Sequence, residues 1–439
     1  MNRKAIYLLT ALLAMVSFQY ATAQEKGSLS LQKAIDLSIK NSKNLRISNA
    51  RIEEATAMTK EASDRQLPDL NISGSYLWLP LNPNIKLKTG ADSSGGSSGP
   101  KVHQAVYGMA SLSVPIYAGG RLKYGIESAK YLEQATKLDA EYERDEVIFN
   151  TMKAFLNLYK SFEAVKLVKE NLQSSMSRDT NFSNLEKNGL LAKNDLLKSE
   201  LQTSNIELSL MDAENNNKLA MVNMNLMLGL PENDTIVLDT ASIDKRQELK
   251  NFSDYETAAL QNRKDIQAAG FRKKAAATGI KSAKAETYPT VALTGGYIAA
   301  DIPHFLTITN AVNIGVGVKY NLASLWKTNT KLQEAKAREK QVTASEDILN
   351  DNIRYAINQD YQNYLLSRKK IEVYERALEQ ATENYRITNN KYVNNLVTLT
   401  DLLDADVLKL QAQLNIISVR ADALLAYKKI LLTAGLLSN

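Results

Sequence analysis

Residues able to do chemistry are sparse in this chain of 439. There is no cysteine, which removes disulfides, thiolate metal sites, cysteine nucleophiles and a lipidated cysteine anchor. The two histidines, His103 and His304, fall in predicted loops, far in sequence from any carboxylate cluster. Neither has the neighbours that a metal site or an acid–base relay needs. No nucleophile–base pair, phosphate loop or metal constellation is visible, so the pattern points away from an enzyme. One acidic run does recur: Asp195-Leu196-Leu197 is matched by Asp401-Leu402-Leu403. Aspartate at such a place suits a helix cap, where it accepts from orphan backbone N–H groups. Asp404 stands apart, because its counterpart in the first run is Lys198.

The ends and the charge narrow the class. Arg3 and Lys4 precede an apolar stretch, Ile6 to Val16, and Ala21-Thr22-Ala23 follows as a small-x-small cleavage site. Residues 1–23 therefore read as a signal peptide, with Gln24 opening the mature chain. An uncleaved anchor is the alternative, but the stretch is short of the roughly 20 apolar residues a membrane helix needs. Setting Arg3 and Lys4 aside leaves 52 of the 54 basic residues against 48 acidic ones. With no Lys/Arg run and no basic stripe studded with aromatics, nucleic acid is not an expected partner. No mature segment is long and apolar enough for a membrane helix, so any membrane crossing must use strands.

Two copies of one unit position these residues. LPDLNISGSY (67–76) resembles YPTVALTGGY (288–297), and Pro289 follows Pro68 by 221 positions. That register pairs Asn41 with Asn262, Arg51 with Arg272 and Gly74 with Gly295. A second register of 206 positions pairs Asp195 with Asp401, Ala220 with Ala426 and Gly229-Leu230 with Gly435-Leu436. The 15-residue difference is absorbed where copy one carries ADSSGGSSGP (91–100), read as a flexible loop tip.

Each copy reads helix, two strands, two long helices. Repeat 1 spans 24–230, with a hairpin over 69–117 and a helix pair over 121–229. Residues 231–256 form a connector, and repeat 2 spans 257–439, with a hairpin over 290–320 and a helix pair over 327–436. Pro68 and Pro289 end the first helix of each copy, since proline forces its predecessor into extended geometry. The strands alternate with period two: Leu70, Ile72, Tyr76 and Trp78 oppose Asn71, Ser73 and Ser75. Val312, Ile314, Val316 and Val318 oppose Asn313 and Lys319. Runs of about 9–11 residues with one apolar face suit a membrane barrel. A soluble sandwich alternates equally, but no nearby helix offers a broad apolar surface to cover these strands.

Residues 121–186 hold no proline and one glycine, Gly125. Such a helix would reach on the order of 100 Å. Ile148, Met152, Phe155, Tyr159 and Phe162 form one stripe; Leu403, Val407, Leu410, Leu414, Ile417, Ala421 and Leu424 form another with coiled-coil spacing. Four strands cannot close a barrel, since about eight are needed to enclose a filled interior. Open edges in lipid leave backbone groups unpaired at several kcal/mol each. Two or more copies must therefore share one barrel.

In this order of elements the chain resembles the TolC-like outer-membrane efflux proteins. Pro115-Ile116-Tyr117-Ala118-Gly119-Gly120-Arg121 is similar to that family's P-x-aromatic-x-G-G-R turn, decayed to YNLASLWK (320–327) in copy two. Asp401-Leu402-Leu403-Asp404-Ala405 resembles its D-V-L-D-A run, and Leu436 follows its closing A-x-G-L. The resemblance implies an α+β membrane channel: a homotrimer whose twelve-stranded β-barrel in outer-membrane lipid is continued by a long α-helical periplasmic tunnel. It implies a passive duct without cofactor, partnered by a periplasmic adaptor and an inner-membrane transporter. A protein-secretion conduit would share these features; a soluble periplasmic coiled-coil scaffold would share the helices but not the lipid-facing strands. The resemblance also places a constriction at the turns 187–195 and 393–401, with Asp401 and Asp404 as a ring of pore carboxylates. Six close carboxylates would attract cations. Asp195 and Tyr392 match the family's latch at the tip, whose Arg position is Val397 here.

Overall fold

The computed structural model describes residues 28–81, 102–240, 248–303, 305–326 and 329–437. The expected signal peptide (1–23), the Gly/Ser tract (91–100), His304 and part of the connector (241–247) lie outside the described residues. The first repeat contains α1 (Leu31–Asn41), α2 (Lys43–Asp64), β1 (Asp69–Trp78), β2 (Gln104–Tyr117), α3 (Arg121–Lys187) and α4 (Lys193–Leu228). The second contains α5 (Phe252–Asn262), α6 (Lys264–Ala285), β3 (Thr290–Ile302), β4 (Leu306–Lys319), α7 (Thr330–Val393) and α8 (Leu399–Thr433). The helix ends obey the 206-residue register: Lys187 with Val393, and Lys193 with Leu399. The two strand-to-helix turns differ. Gly119 and Gly120 both take positive φ in copy one. Copy two substitutes a 3-10 turn, Leu322–Leu325, whose first N–H groups include that of Ala323, held by the Asn321 side chain.

The chain divides into two compact units. One comprises Ile47–Glu141 and Lys264–Asp351 and holds all four strands. They form one antiparallel sheet in the order β1-β2-β3-β4. Directly opposed residues of antiparallel strands share a face. Leu70 opposes Leu112, which opposes Gly295, which opposes Ile314. Ile72 likewise leads through Ala110 and Tyr297 to Val312. The alternation is thus in phase across all four strands, because a one-residue slip anywhere would flip a whole strand. The shared face is apolar and exposed: Ile72 and Ile314 are each 82% accessible. The opposite face carries Ser73, Ser111, Thr294 and Asn313. The outer edges of β1 and β4 have no strand partner among the described residues.

The other unit comprises the residues up to Arg46, Tyr142–Arg263 and those from Asn352 onward. Its main core joins Phe155 and Leu158 of α3 to Met224 and Leu228 of α4 and Leu424 of α8. Burying a side chain such as Phe155 contributes roughly 1.5–3 kcal/mol. A second core gathers Tyr255, Ile357, Tyr364 and Ile430. Gly229 ends α4 with φ 71°, and a Cβ there would lie 2.8 Å from Cβ of Asn41. The Asn41 amide donates to the Leu228 carbonyl at 2.6 Å. Gly435, its 206-register twin, likewise leaves no room for a Cβ, which would meet the backbone of Asn262 and Arg263. Residues paired by the two sequence registers therefore meet at equivalent helix ends. The connector is mixed: Leu29 forms a parallel bridge with Leu238.

Within the single chain both stripes are only partly buried. In α3, Ile148, Met152 and Phe155 are buried, but Phe162 is 48% exposed. In α8, Leu403, Ala421 and Leu424 are buried, yet Val407 is exposed and Leu410, Leu414 and Ile417 are only half-buried. The buried seam runs instead through Leu402, Asp406, Ala412, Ile416, Val419 and Ala423. Two physical reasons shift it. Small alanines admit a close neighbour, and the carboxylate of Asp406 is buried because it is paired.

Candidate functional site

Within the second unit, both long helix pairs reverse by the same turn. Gly189 (φ 70°) and Asn395 (φ 56°) each take the left-handed conformation one helical register apart. In copy one the N–H groups of Leu190 and Gly189 donate to the carbonyls of Leu185 and Glu186. In copy two those of Leu396 and Asn395 donate to Lys391 and Tyr392. This pattern satisfies the last carbonyls of a helix and is a Schellman motif. Glycine serves without strain, and asparagine is among the few other residues that tolerate the position.

The returning helices start differently. Thr398 caps α8, its hydroxyl accepting from Asp401 N–H at 3.3 Å. The Asp401 carboxylate reaches back to the Thr398 N–H at 2.9 Å and accepts from its hydroxyl at 2.7 Å. That is a capping box, with Asp401 three residues inside the helix and Thr398 at the cap itself. These two bonds hold the Asp401 carboxyl below its ordinary pKa, the Thr398 hydroxyl first and its N–H second. In copy one the cap position is Ala192, which offers no side-chain acceptor. Asp195 therefore lacks the partner that Asp401 has, and its carboxylate lies 3.7 Å from the Lys198 ammonium.

Asp404 is exposed and lies three residues from Asp401. Residues so spaced share a helix face, so the exposed start of α8 presents two carboxylates together. Tyr392 packs on Phe182, ring centroids 6.0 Å apart, beside Leu196, Leu399 and Leu402. Burial raises the Tyr392 phenol, the Asp195 charge raises it further, and Arg178 opposes both. Tyr392 and Asp195 are thus electrostatic neighbours, but no hydrogen bond joins them among the described residues. Val397 is half-buried and supplies no charge to this pair.

Sequence reasoning missed the adjoining polar network. Arg178 of α3 donates to Asp406 of α8 at 3.1 Å, with side chains 11% and 10% exposed. Arg178 also donates to Ser175 at 3.0 Å, and Asn171 donates to Asp406 at 3.4 Å. Ser175 and Thr203 hydroxyls are 2.7 Å apart, and the carboxylate of Asp179 accepts from both Ser199 and Thr203. Three helices, α3, α4 and α8, are tied together by these bonds. A sequence signal existed: Asp406 follows Leu399 and Leu402 at core spacing, where an apolar residue is the norm.

His103 is exposed just before β2. Among the described residues, no group of three His, Asp or Glu could hold a metal ion. Nor is any described helix long and apolar enough to cross a membrane. What this end of the helices offers is charge and shape.

Comparison with known proteins bears on these features. The profile of the family described as outer membrane efflux protein matches residues 34–230 and 257–436. A cation efflux system protein, CusC of Escherichia coli O157:H7, is 24% identical over 347 residues, covering 73% of this chain and 71% of that protein. Among solved structures, the outer-membrane channel OprN superposes with a TM-score of 0.77 at 17% identity, covering 92% of this chain and 89% of OprN. The outer membrane protein VceC of Vibrio cholerae gives 0.73 at 19% identity, covering 92% of this chain and 96% of VceC.

Proposed function

The chain belongs to the outer membrane efflux protein family, and from that premise we propose that it is the outer-membrane subunit of a tripartite efflux system. It is a transport duct of the outer membrane and not an enzyme. In the proposed arrangement three copies pool their strands into a twelve-stranded barrel. A periplasmic adaptor couples the duct to an inner-membrane transporter, which supplies the energy.

The observation that carries this reading is the sheet. Leu70, Ile72, Leu112, Tyr297, Val312 and Ile314 share one exposed face across the four strands, and among the described residues both outer edges are unpaired. In lipid, unpaired edges are tolerable only when a further strand satisfies them. The helices add support. Leu197, Leu201, Leu208, Met211, Leu219 and Leu226 are all exposed along α4 in near-heptad spacing. An apolar seam of this kind suits a neighbouring helix, here one from another copy.

The exposed carboxylates Asp401 and Asp404 are proposed to line the periplasmic constriction, with Tyr392 and Asp195 holding the two turns beside it. Single-channel conductance of the purified protein in planar bilayers tests this. Magnesium should block the current, and Asp404→Asn should weaken the block. Block of equal strength in both proteins would remove the constriction from the account; absence of any pore would remove the duct.

A further inference from the structure

We infer that Arg178 and Asp406 are positioning residues for the constriction: their buried ion pair sets the rotation of α8 about its own axis, and so the direction in which Asp404 points. This rests on the reading of Asp404 as a pore-lining residue.

Two residues of an α-helix separate by about 200° around its axis. Asp404 and Asp406 therefore leave α8 on opposite sides, and the first is exposed while the second is buried. Turning α8 to move Asp404 would drag Asp406 off the Arg178 guanidinium. Arg178 cannot follow freely, because Ser175 holds it and Ser175 is bonded onward to Thr203 of α4. Asp179 closes the network on Ser199 and Thr203. A buried ion pair adds little net stability over apolar side chains of the same volume, but it is satisfied in only one register. An apolar seam alone would tolerate a small rotation.

The duplication shows the pair to be specific to one place. The copy-two counterpart of Arg178, 206 positions on, is Asn384; the copy-one counterpart of Asp406 is Glu200. Both of these are exposed. Where Asp179 meets Thr203 in copy one, copy two sets the Lys409 ammonium 4.6 Å over the Tyr385 ring. Of the two helices that begin at the turns, the one bearing the exposed carboxylate pair is the one held by an ion pair.

The test uses the full-length channel in planar bilayers with magnesium as the probe. Two proteins are compared with the unaltered chain: Asp404→Asn and the neutral pair Arg178→Met/Asp406→Leu. Thermal stability is recorded for each. The neutral pair should assemble with near-native stability, yet need at least about fivefold more magnesium for half-block, a shift within the usual range of coupling between sites. Wild-type block in the neutral pair, with block lost in Asp404→Asn, overturns the inference and leaves the constriction reading intact. Unchanged block in Asp404→Asn overturns that reading and this inference together. Should the neutral pair fail to assemble, the absence of native cysteine allows a second readout. A cysteine introduced by Asp404→Cys is modified with a cationic methanethiosulfonate in the presence and absence of Asp406→Asn. A fall in rate of at least about fivefold supports the inference; equal rates overturn it.

Discussion

The turn at 188–192 and the turn at 394–398 share one backbone course and differ in what anchors the helix that follows. Both carry a left-handed residue and the same pair of closing hydrogen bonds. Copy one then enters α4 through Ala192, without a side-chain cap. Copy two enters α8 through a capping box, and five residues beyond Asp401 the same helix is clamped at Asp406 by Arg178. A duplicated backbone has thus been kept while its restraints have been redistributed. The helix with two exposed carboxylates has gained both a cap and an ion pair; its twin has no side-chain cap and is held by the Ser199 and Thr203 hydroxyls on the Asp179 carboxylate. The lesson is that the two halves of a duplicated chain are equivalent as geometry and unequal as mechanics.

Several substitutions would break or sharpen that contrast. The largest effect is expected from Arg178→Met alone, which strands the buried Asp406 carboxylate; stability should fall by about 3–5 kcal/mol. Asn384→Met, at the equivalent exposed place in copy two, should change it by less than about 0.5 kcal/mol. Thermal unfolding of the purified protein reads both, and equal losses would abolish the asymmetry.

Next in size, Thr398→Ala removes the cap of α8 and should cost about 1 kcal/mol. The reverse operation is Ala192→Thr, which places a hydroxyl three residues before Asp195 and completes a capping box in copy one. Ala192 already has extended backbone angles, φ −70° and ψ 139°, close to those of Thr398. A gain of about 0.5 kcal/mol is expected; a loss would mean that the copy-one turn needs its looseness for packing.

The smallest effect is a titration. The Asp401 carboxyl has its folded pKa lowered by the Thr398 hydroxyl and N–H. A lowered folded value means the bond contributes at pH above the ordinary carboxylate range and is lost as pH falls through the lowered value. Carbon NMR of aspartate-labelled protein should show Asp401 titrating below the ordinary range, and Thr398→Ala should return it upward. An unmoved midpoint in Thr398→Ala would show that the box is not what holds the proton off.

Much of the fold was legible because it depends on local, periodic physics. The strand alternation gave β1 to within a residue, since a half-exposed sheet must alternate; in β4 it covered only 312–319 and missed the stretch that starts at Leu306. Pro68 and Pro289 marked helix ends because proline acts on its own neighbour. The 206-residue register even anticipates the twin left-handed residues Gly189 and Asn395. The site was less legible. The repeated aspartate suggested a cap, but the cap is Thr398 and Asp401 only answers it, a distinction of three residues that periodicity does not resolve. The Arg178–Asp406 pair was invisible because its members lie 228 positions apart. Reading α8 for apolar residues alone steered the seam through Val407 and past Asp406, whose burial is possible only because an arginine from copy one meets it.

The open sheet has a last consequence, for how copies add to one another. Its two borders are different strands, β1 and β4, so neither border is a copy of the other. A head-to-tail junction between them gives every growing ring a direction, and only the final junction makes it complete. A chain whose β4 border alone is blocked by proline could still accept a neighbour at β1 and then stop further growth. Expressed beside the intact protein, such a chain would act as a terminator, poisoning rings in excess of its own share of the molecules.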